Sequence, residues 1–230
     1  MTPITIVKHV FAASWPAFVR LSPRAECPYG SHIPILMISG AIFQPKRILE
    51  LGTGFFSTSL FLDAEAFPSV EQLHSIENDL KWFDQVRSAC ESDAKWRPDM
   101  WTGPVDERIR SLDLANYDLI FIDDSQDQQS RTKTIQAVFA GKPPCPVIIH
   151  DAECWRYRRQ VWAHRPYVIF TAFTPQTAVC LPSVCPQRGL VSRAKAFADL
   201  LAGEGQRAAS PEDWKSMGRS LVASIASTQS

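Results

Sequence analysis

The feature that most constrains this sequence is an unbroken succession of a buried strand, a glycine turn and a helix near residue 50. The apolar run Arg47–Leu51 predicts a buried strand, and Ser57–Leu62 predicts the start of a helix. Gly52 and Gly54 stand between them. Because glycine has no Cβ atom, these residues let the backbone turn sharply and approach a ligand closely. The segment therefore predicts a strand–turn–helix unit with a candidate ligand loop.

The same alternation of strand and helix continues to about residue 182. Strands that alternate with helices form a parallel sheet that is covered by helices on both faces. In chain order, the further predicted elements are a strand at Leu73–Glu77, a helix from Asp79 to about Ser92, a strand at Tyr117–Asp123, a helix at Gln128–Phe139, a strand at Pro146–His150 and a helix at Ala152–Trp162.

The end of the alternating region differs from the rest. Tyr167–Thr171 and Thr177–Leu181 predict two strands joined by a turn at 174–176. Residues 46–182 therefore predict a Rossmann-like, doubly wound, mostly parallel sheet that ends in a C-terminal antiparallel hairpin strand. Residues 1–45 predict an N-terminal extension of helix and loop. Residues 183–230 predict a C-terminal helical extension, with helices at 190–201 and 214–225, the second after a helix start signal at Ser210.

Charge and hydropathy narrow the classes of partner. Lys plus Arg and Asp plus Glu number 24 each, so there is no net positive field to attract nucleic acid. No apolar run reaches the roughly 20 residues of a membrane span, and the N-terminus lacks the pattern of a signal peptide. We expect a cytoplasmic protein that binds neither nucleic acid nor membrane. The amphipathic terminal helices could form a homodimer arm, a lid or a cover for their own sheet.

Two residues indicate which cofactor the glycine loop accepts. The third glycine of the dinucleotide fingerprint is replaced by Phe56, which argues against a pyrophosphate. Glu77 ends the second predicted strand, about 25 residues after the loop, where a carboxylate can accept hydrogens from both ribose hydroxyls. A turn without a ligand and a solvated strand-end charge are the alternatives. The combination of loop and carboxylate favours a nucleoside cofactor.

At this point four segments carry a family resemblance. The segments Glu50-Leu-Gly-Thr-Gly-Phe-Phe-Ser57, Ser75-Ile-Glu77, Phe121-Ile-Asp-Asp124 and Ile149-His-Asp151 resemble class I S-adenosylmethionine-dependent methyltransferases. The resemblance covers about residues 28–182. The upstream segment Tyr29-Gly-Ser-His-Ile-Pro-Ile35 is similar to the one that precedes the first strand in small-molecule O-methyltransferases.

The resemblance implies a function and a set of cofactor-binding residues. A methyl group would move from S-adenosylmethionine to an O, N or S atom of a small-molecule acceptor. Around the cofactor, Glu50, Gly52 and Gly54 would hold the methionine end with Ser57 beside them, Glu77 would hold the ribose, Asp106 in the stretch 103–106 would lie near the adenine, and Asp123 would border the site.

The resemblance is partial where some O-methyltransferases of this kind bind a divalent metal. Those enzymes use an Asp after the fourth strand and an Asp-Asn pair after the fifth. Asp123 and Asp151 match the two aspartates, and carboxylates at strand ends suit Mg²⁺. However, Ala152 stands where the asparagine is expected, and Gln126 where a catalytic lysine is expected. These departures favour methyl transfer in which the aspartates orient the acceptor without a metal, and a Mg²⁺ site at Asp123 and Asp151 is the alternative.

The residues at these strand ends also include a candidate catalytic base. His150 could remove a proton from an acceptor hydroxyl, thiol or amine, and Asp123 is the other candidate for this role. His150 could equally be a histidine that is packed and hydrogen-bonded at the end of a buried strand.

Two other functions stay open. One is an NAD(P)-dependent oxidoreductase, which Phe56 and the closing hairpin disfavour. The other is a non-catalytic protein that keeps the cofactor fold as an interaction scaffold, which the incomplete metal pattern favours.

Overall fold

The structure is a computed structural model that describes residues 15–21, 28–90, 92–125, 127–164 and 166–205. The described strands are β1 (Arg47–Leu51), β2 (Gln72–Glu77), β3 (Trp96–Met100), β4 (Leu119–Ile122), β5 (Val147–Ile149), β6 (Tyr167–Phe170) and β7 (Thr177–Cys180). The described α-helices are α1 (Trp15–Leu21), α2 (Ile33–Phe43), α3 (Ser57–Leu62), α4 (Leu80–Cys90), α5 (Val105–Arg110), α6 (Gln128–Ala140), α7 (Trp155–His164) and α8 (Arg188–Gly205). None of these helices is both long and apolar enough to cross a membrane.

The seven strands form one sheet in the order β3-β2-β1-β4-β5-β7-β6. Neighbours from β3 to β5 are parallel, and β7 runs antiparallel to both β5 and β6. The chain moves outward from β1 to β3 and then returns to β4 on the other side of β1. Ligands of such sheets bind at the carboxyl ends of the strands where this direction reverses. The loops after β1 and β4 therefore mark the candidate site, and the ends of these strands pair at Leu51 and Ile122.

The central strands are apolar because helices cover both faces of the sheet. Along β1, Ile48 belongs to one buried cluster and Leu49 to the other. Along β4, Phe121 belongs to the cluster of Ile48 and Ile120 belongs to the cluster of Leu49. Glu50 follows the period of two onto the face of Ile48, so its side chain is buried on the face of the sheet that carries this cluster.

Helices from both predicted extensions complete the core of the sheet. In α2, Leu36, Met37 and Ile38 are each at most 1% exposed, and they share a cluster with Ile48 and Phe121. Helix α8 contacts α2 and β6, and α1 contacts α2. The described parts of residues 1–45 and 183–230 therefore pack on the same face of the sheet.

The predicted fold class is confirmed, and most predicted elements are found within a few residues. Strand β3 was not predicted because it lies at the sheet edge, where Pro98 and exposed residues are tolerated. Helix α7 begins at Trp155, three residues later than predicted, because a turn follows Asp151, which has φ 56°. The predicted helix at 214–225 and its start signal at Ser210 lie outside the described residues.

Candidate active site

The glycine loop joins β1 to α3, and its two glycines have different roles. Gly52 has φ 89°, and a Cβ atom there would lie 2.4 Å from the carbonyl oxygen of Asp123. Glycine is therefore required at position 52, because the loop after β4 approaches this residue closely. A Cβ atom at Gly54 would instead meet the hydroxyl of Ser57 at 2.9 Å and otherwise only distant atoms. At Gly54 the limit is therefore set by one side chain, the Ser57 hydroxyl, and no backbone atom lies as near.

Below this loop lies the buried carboxyl group of Glu50. Its Oε2 accepts hydrogen bonds from the hydroxyls of Thr58, at 2.9 Å, and Ser75, at 2.6 Å. The Thr58 hydroxyl also accepts the backbone N–H of Gly54 at 3.0 Å, which connects the carboxylate to the loop. The other oxygen, Oε1, is buried and meets no donor in hydrogen-bonding geometry among the described residues. Burial raises the pKa of Glu50 to about 7, and the hydroxyls of Ser75, Ser57 and Thr58 oppose this rise.

Glu77, at the end of β2, holds the glycine loop from the other side. Its Oε2 accepts the N–H of Thr53 at 3.0 Å and the hydroxyl of the same residue at 3.1 Å. Its Oε1 accepts the N–H groups of Asn78 and Asp79 at 2.8 and 2.9 Å. The indole of Trp82 donates to the carbonyl oxygen of Thr53 at 2.6 Å. Ribose hydroxyls at Glu77 would have to share acceptor oxygens that already bind the loop.

The Asp106 carboxyl group is the third part of the predicted cofactor site. It lies in the first turn of α5, is 7% exposed, and accepts a hydrogen bond from Arg110 at 2.5 Å. The pair stands at i,i+4 spacing on the helix. Its proximity to an adenine stays a prediction.

At the ends of β4 and β5, a buried arginine joins the carboxylates that the sequence predicts as metal ligands. Arg131 Nη1 lies 3.1 Å from Asp123 Oδ1 and 2.6 Å from Asp151 Oδ2. Arg131 also donates to the carbonyl oxygen of Asp124 at 2.6 Å, and its guanidinium lies 5.4 Å from the ring centre of Tyr157. Asp123 and Asp151 are thus brought together as predicted, but the guanidinium occupies oxygens that the sequence assigned to Mg²⁺.

Burial changes the protonation of the carboxyl groups in this cluster. It raises the pKa of Asp123 to about 7, against the attraction of Arg131, and Asp151 adds to the rise. Burial also raises the pKa of Asp124 to about 7, although the Thr134 hydroxyl donates to Asp124 Oδ2 at 2.6 Å. Both groups therefore change charge near neutral pH.

Two buried histidines lie beside Asp123. His150 follows β5, its Nδ1 lies 3.3 Å from the hydroxyl oxygen of Thr177, and its Nε2 lies 3.7 Å from Asp151 Oδ1. His32 precedes α2, and its ring meets that of His150 edge to face, with centroids 4.8 Å apart. Burial lowers the pKa of His150 to about 4 and that of His32 well below its usual value. Both imidazoles are therefore neutral at pH 7.

Sequence analysis missed several residues of this site. His32 lies in the upstream segment that is similar to O-methyltransferases, but no local pattern distinguishes it from a core residue. Arg131 stands at helical spacing with the buried residues Ile135 and Val138, so it could have been recognised as a charge on the buried face of α6. Thr53 and Thr58 carry no signal beyond their place in the glycine loop.

Comparisons with known proteins agree on the fold. No family model and no curated protein matches the chain. Spermidine synthase from Thermotoga maritima is 16% identical with a TM-score of 0.52, over 69% of this chain and 61% of that one. A spermidine synthase in complex with the transition-state analogue AdoDATO is 15% identical with a TM-score of 0.50, over 69% and 62%. The chain therefore spans less than two thirds of the length of these two proteins.

A methyltransferase-type structure is equally similar. A candidate caffeoyl-CoA O-methyltransferase from Staphylococcus aureus is 17% identical with a TM-score of 0.51, over 66% of this chain and 83% of that one. The parallel sheet with its single antiparallel strand β7 agrees with this similarity. This chain has the class I S-adenosylmethionine-dependent methyltransferase fold.

Proposed function

We propose that this protein is an S-adenosylmethionine-dependent methyltransferase that methylates an O, N or S atom of a small molecule. The observation that carries the proposal is Glu50, a fully buried carboxyl group that is linked through the Thr58 hydroxyl to the N–H of Gly54 and whose Oε1 meets no donor in hydrogen-bonding geometry among the described residues. A cofactor with an ammonium group at its methionine end supplies such a donor. Glu77 and the polar side chains that follow β4 and β5 border the same edge of the sheet.

In this reaction the cofactor supplies a methyl group that its sulfonium activates, so the protein mainly aligns the acceptor and excludes water. The buried carboxyl ends of the strands provide these conditions. His150 is neutral at pH 7, and its contact with Thr177 orients the ring. Because burial lowers the pKa of His150 to about 4, proton removal from the acceptor by Nε2 needs Asp151, 3.7 Å away, to stabilise the imidazolium that forms. Asp123 is the alternative base, but Arg131 holds one of its oxygens.

Spermidine synthases have the same fold, so the fold by itself does not determine the reaction. Cofactor binding is therefore the first test. We expect calorimetry to show binding of S-adenosylhomocysteine and no binding of NAD. Gly54→Val should weaken S-adenosylhomocysteine binding at least about tenfold, because its side chain would collide with the Ser57 hydroxyl and reshape the loop that the proposal assigns to the cofactor. Gly189→Val is the matched control, since Gly189 in α8 has open space around it.

Binding of NAD alone would instead identify an oxidoreductase. Binding of neither molecule would favour the non-catalytic scaffold. Methyl release, measured with phenols, thiols, amines and carboxylates, then identifies the acceptor class, and a folded protein that binds the cofactor but methylates none of them would contradict the proposed acceptor chemistry.

The assignment of the base has its own test. We expect His150→Ala to reduce turnover by about 10²–10⁴-fold while S-adenosylhomocysteine affinity is kept, because positioned bases contribute that much. Methyl release under saturating cofactor measures turnover, and calorimetry measures affinity. Full turnover in His150→Ala together with its loss in Asp123→Asn would move the role of base to Asp123.

A further inference from the structure

His32 has a buried imidazole whose environment the methyl-transfer proposal does not explain. The residue is 2% exposed, and neither ring nitrogen has a hydrogen-bond partner among the described residues. A neutral imidazole carries one donor and one acceptor, and buried polar groups of this kind are nearly always satisfied. The ring packs against Phe121 and His150, with centroid distances of 5.3 and 4.8 Å. An unsatisfied imidazole that faces a second imidazole points to a ligand between them.

The arrangement around His32 supplies a set of metal ligands. One ligand atom each from His32, His150 and Asp123 lies within 4.8 Å of the other two. Two imidazoles and one carboxylate are a ligand set that binds divalent transition ions and leaves positions open for water or substrate. Asp151 Oδ1, 3.7 Å from His150 Nε2, borders the same space and is partly exposed.

The neighbours of these ligands are the kind that support a metal site. Thr177 Oγ1 contacts His150 Nδ1 at 3.3 Å, which orients the ring and directs Nε2 towards Asp151. Arg131 holds Asp123 through Oδ1 at 3.1 Å, which fixes the carboxylate beside the two imidazoles. Three carboxylates, Asp123, Asp124 and Asp151, surround the single guanidinium of Arg131. When ionised, they leave an excess of two negative charges, which a divalent cation neutralises.

We propose that His32, Asp123 and His150 bind a divalent transition-metal ion of the Zn²⁺ type, with Asp151 at its open side. This ligand set differs from the Mg²⁺ site considered from the sequence, because imidazole nitrogens favour transition ions whereas Mg²⁺ prefers oxygen ligands. The existence of the site does not depend on methyl transfer. A role of the ion in methyl transfer, in contrast, rests on the proposed function. In that role the ion would polarise an acceptor hydroxyl or thiol and lower its pKa. In that case His150 would act as a ligand of the ion and not as a free base.

The site is tested by metal binding to the full chain without cofactor or acceptor. The protein is freed of metal with a chelator, and Zn²⁺ is then titrated by calorimetry, with Co²⁺ as a spectroscopic probe of nitrogen ligands. We expect one ion per chain, and no displacement by excess Mg²⁺. His150→Ala and His32→Phe should each weaken Zn²⁺ binding at least about tenfold. His32→Phe preserves an apolar ring in the buried position, so loss of binding in this variant does not arise from a cavity.

His164→Ala is the matched control, because His164 is an exposed histidine at the end of α7. It should bind Zn²⁺ as tightly as the wild-type protein. Absence of Zn²⁺ binding in the wild type, or equal affinity in folded His32→Phe, would overturn the proposal. S-adenosylhomocysteine binding, measured on the same samples, tests the cofactor site separately, so failure of the metal site and failure of the proposed function are distinguishable.

Discussion

Glu50 is a carboxyl group at a position where the neighbouring residues of β1 are apolar. The sequence places it in a buried strand, and the family resemblance assigns it to the cofactor. Its partners Thr58 and Ser75 come from α3 and β2, and Trp96 on β3 in turn donates to the Ser75 hydroxyl at 2.9 Å. These partners could not be inferred from the strand pattern, because their contact with Glu50 depends on how three strands and a helix pack together.

The raised pKa of Glu50 predicts a pH-dependent stability. The folded protein keeps the Glu50 proton up to about pH 7, whereas the unfolded chain releases it near its ordinary value of 4.5. Between these values the folded state binds more protons, so the free energy of unfolding falls as pH rises from 4.5 to 7. We expect Glu50→Gln, which is neutral at all pH values, to be more stable than the wild type at pH 8, on the order of 2–3 kcal/mol.

Thermal unfolding between pH 5 and pH 8 measures this effect. The difference between Glu50→Gln and the wild type should shrink towards pH 5, where the Glu50 carboxyl is protonated in the folded protein. Glu107→Gln, at an exposed glutamate on α5, should follow the wild type throughout. A Glu50→Gln variant that is less stable than the wild type at pH 8 would contradict the burial of a protonated carboxyl group.

Helix α6 carries a charged residue on its buried face. Asp127 caps the helix by accepting the N–H of Ser130 at 2.8 Å, and the first turn then directs Arg131 beneath the β4 and β5 ends. The bounds of α6 were predicted almost completely, because apolar periodicity is a local property of the chain. The ion pairs of Arg131 were not predicted, since its partners follow two different strands.

Arg131 stabilises this end of the sheet by neutralising buried carboxylates. We expect Arg131→Met to lower the free energy of unfolding by about 3–5 kcal/mol at pH 8, because Asp123 and Asp124 lose their buried cation. At pH 6 the loss should be smaller, because the pKa of both carboxyl groups is raised to about 7 and they then take up protons. Denaturant unfolding at the two pH values measures the difference.

Lys133→Met is the control on the same helix, since Lys133 is exposed. It removes a positive charge at the surface and should change stability by no more than about 0.5 kcal/mol. An equal loss of stability at pH 6 and pH 8 in Arg131→Met would mean that packing of the side chain matters and its charge does not.

At the scale of the whole molecule, alternating strands and helices determined the fold class from the sequence alone. The glycine loop and Glu77 could likewise be singled out from the sequence as a candidate cofactor site, because the turn and the strand end are encoded within about 30 residues of each other. That site stays a prediction. Strand β3 escaped detection because an edge strand needs little apolar periodicity. The homodimer through the terminal helices, the small-molecule acceptor and the cytoplasmic location stay predictions.

Only the tertiary structure brought His32, Asp123, Arg131 and His150 together. The sequence records which face of each element is buried, because that periodicity is local. It does not record which buried polar groups meet, since that depends on the strand order, on the return of the chain from β3 to β4 and on the packing of α2 against the sheet. The candidate cofactor loop could therefore be predicted from the sequence, whereas the cluster beside it was decided by the fold.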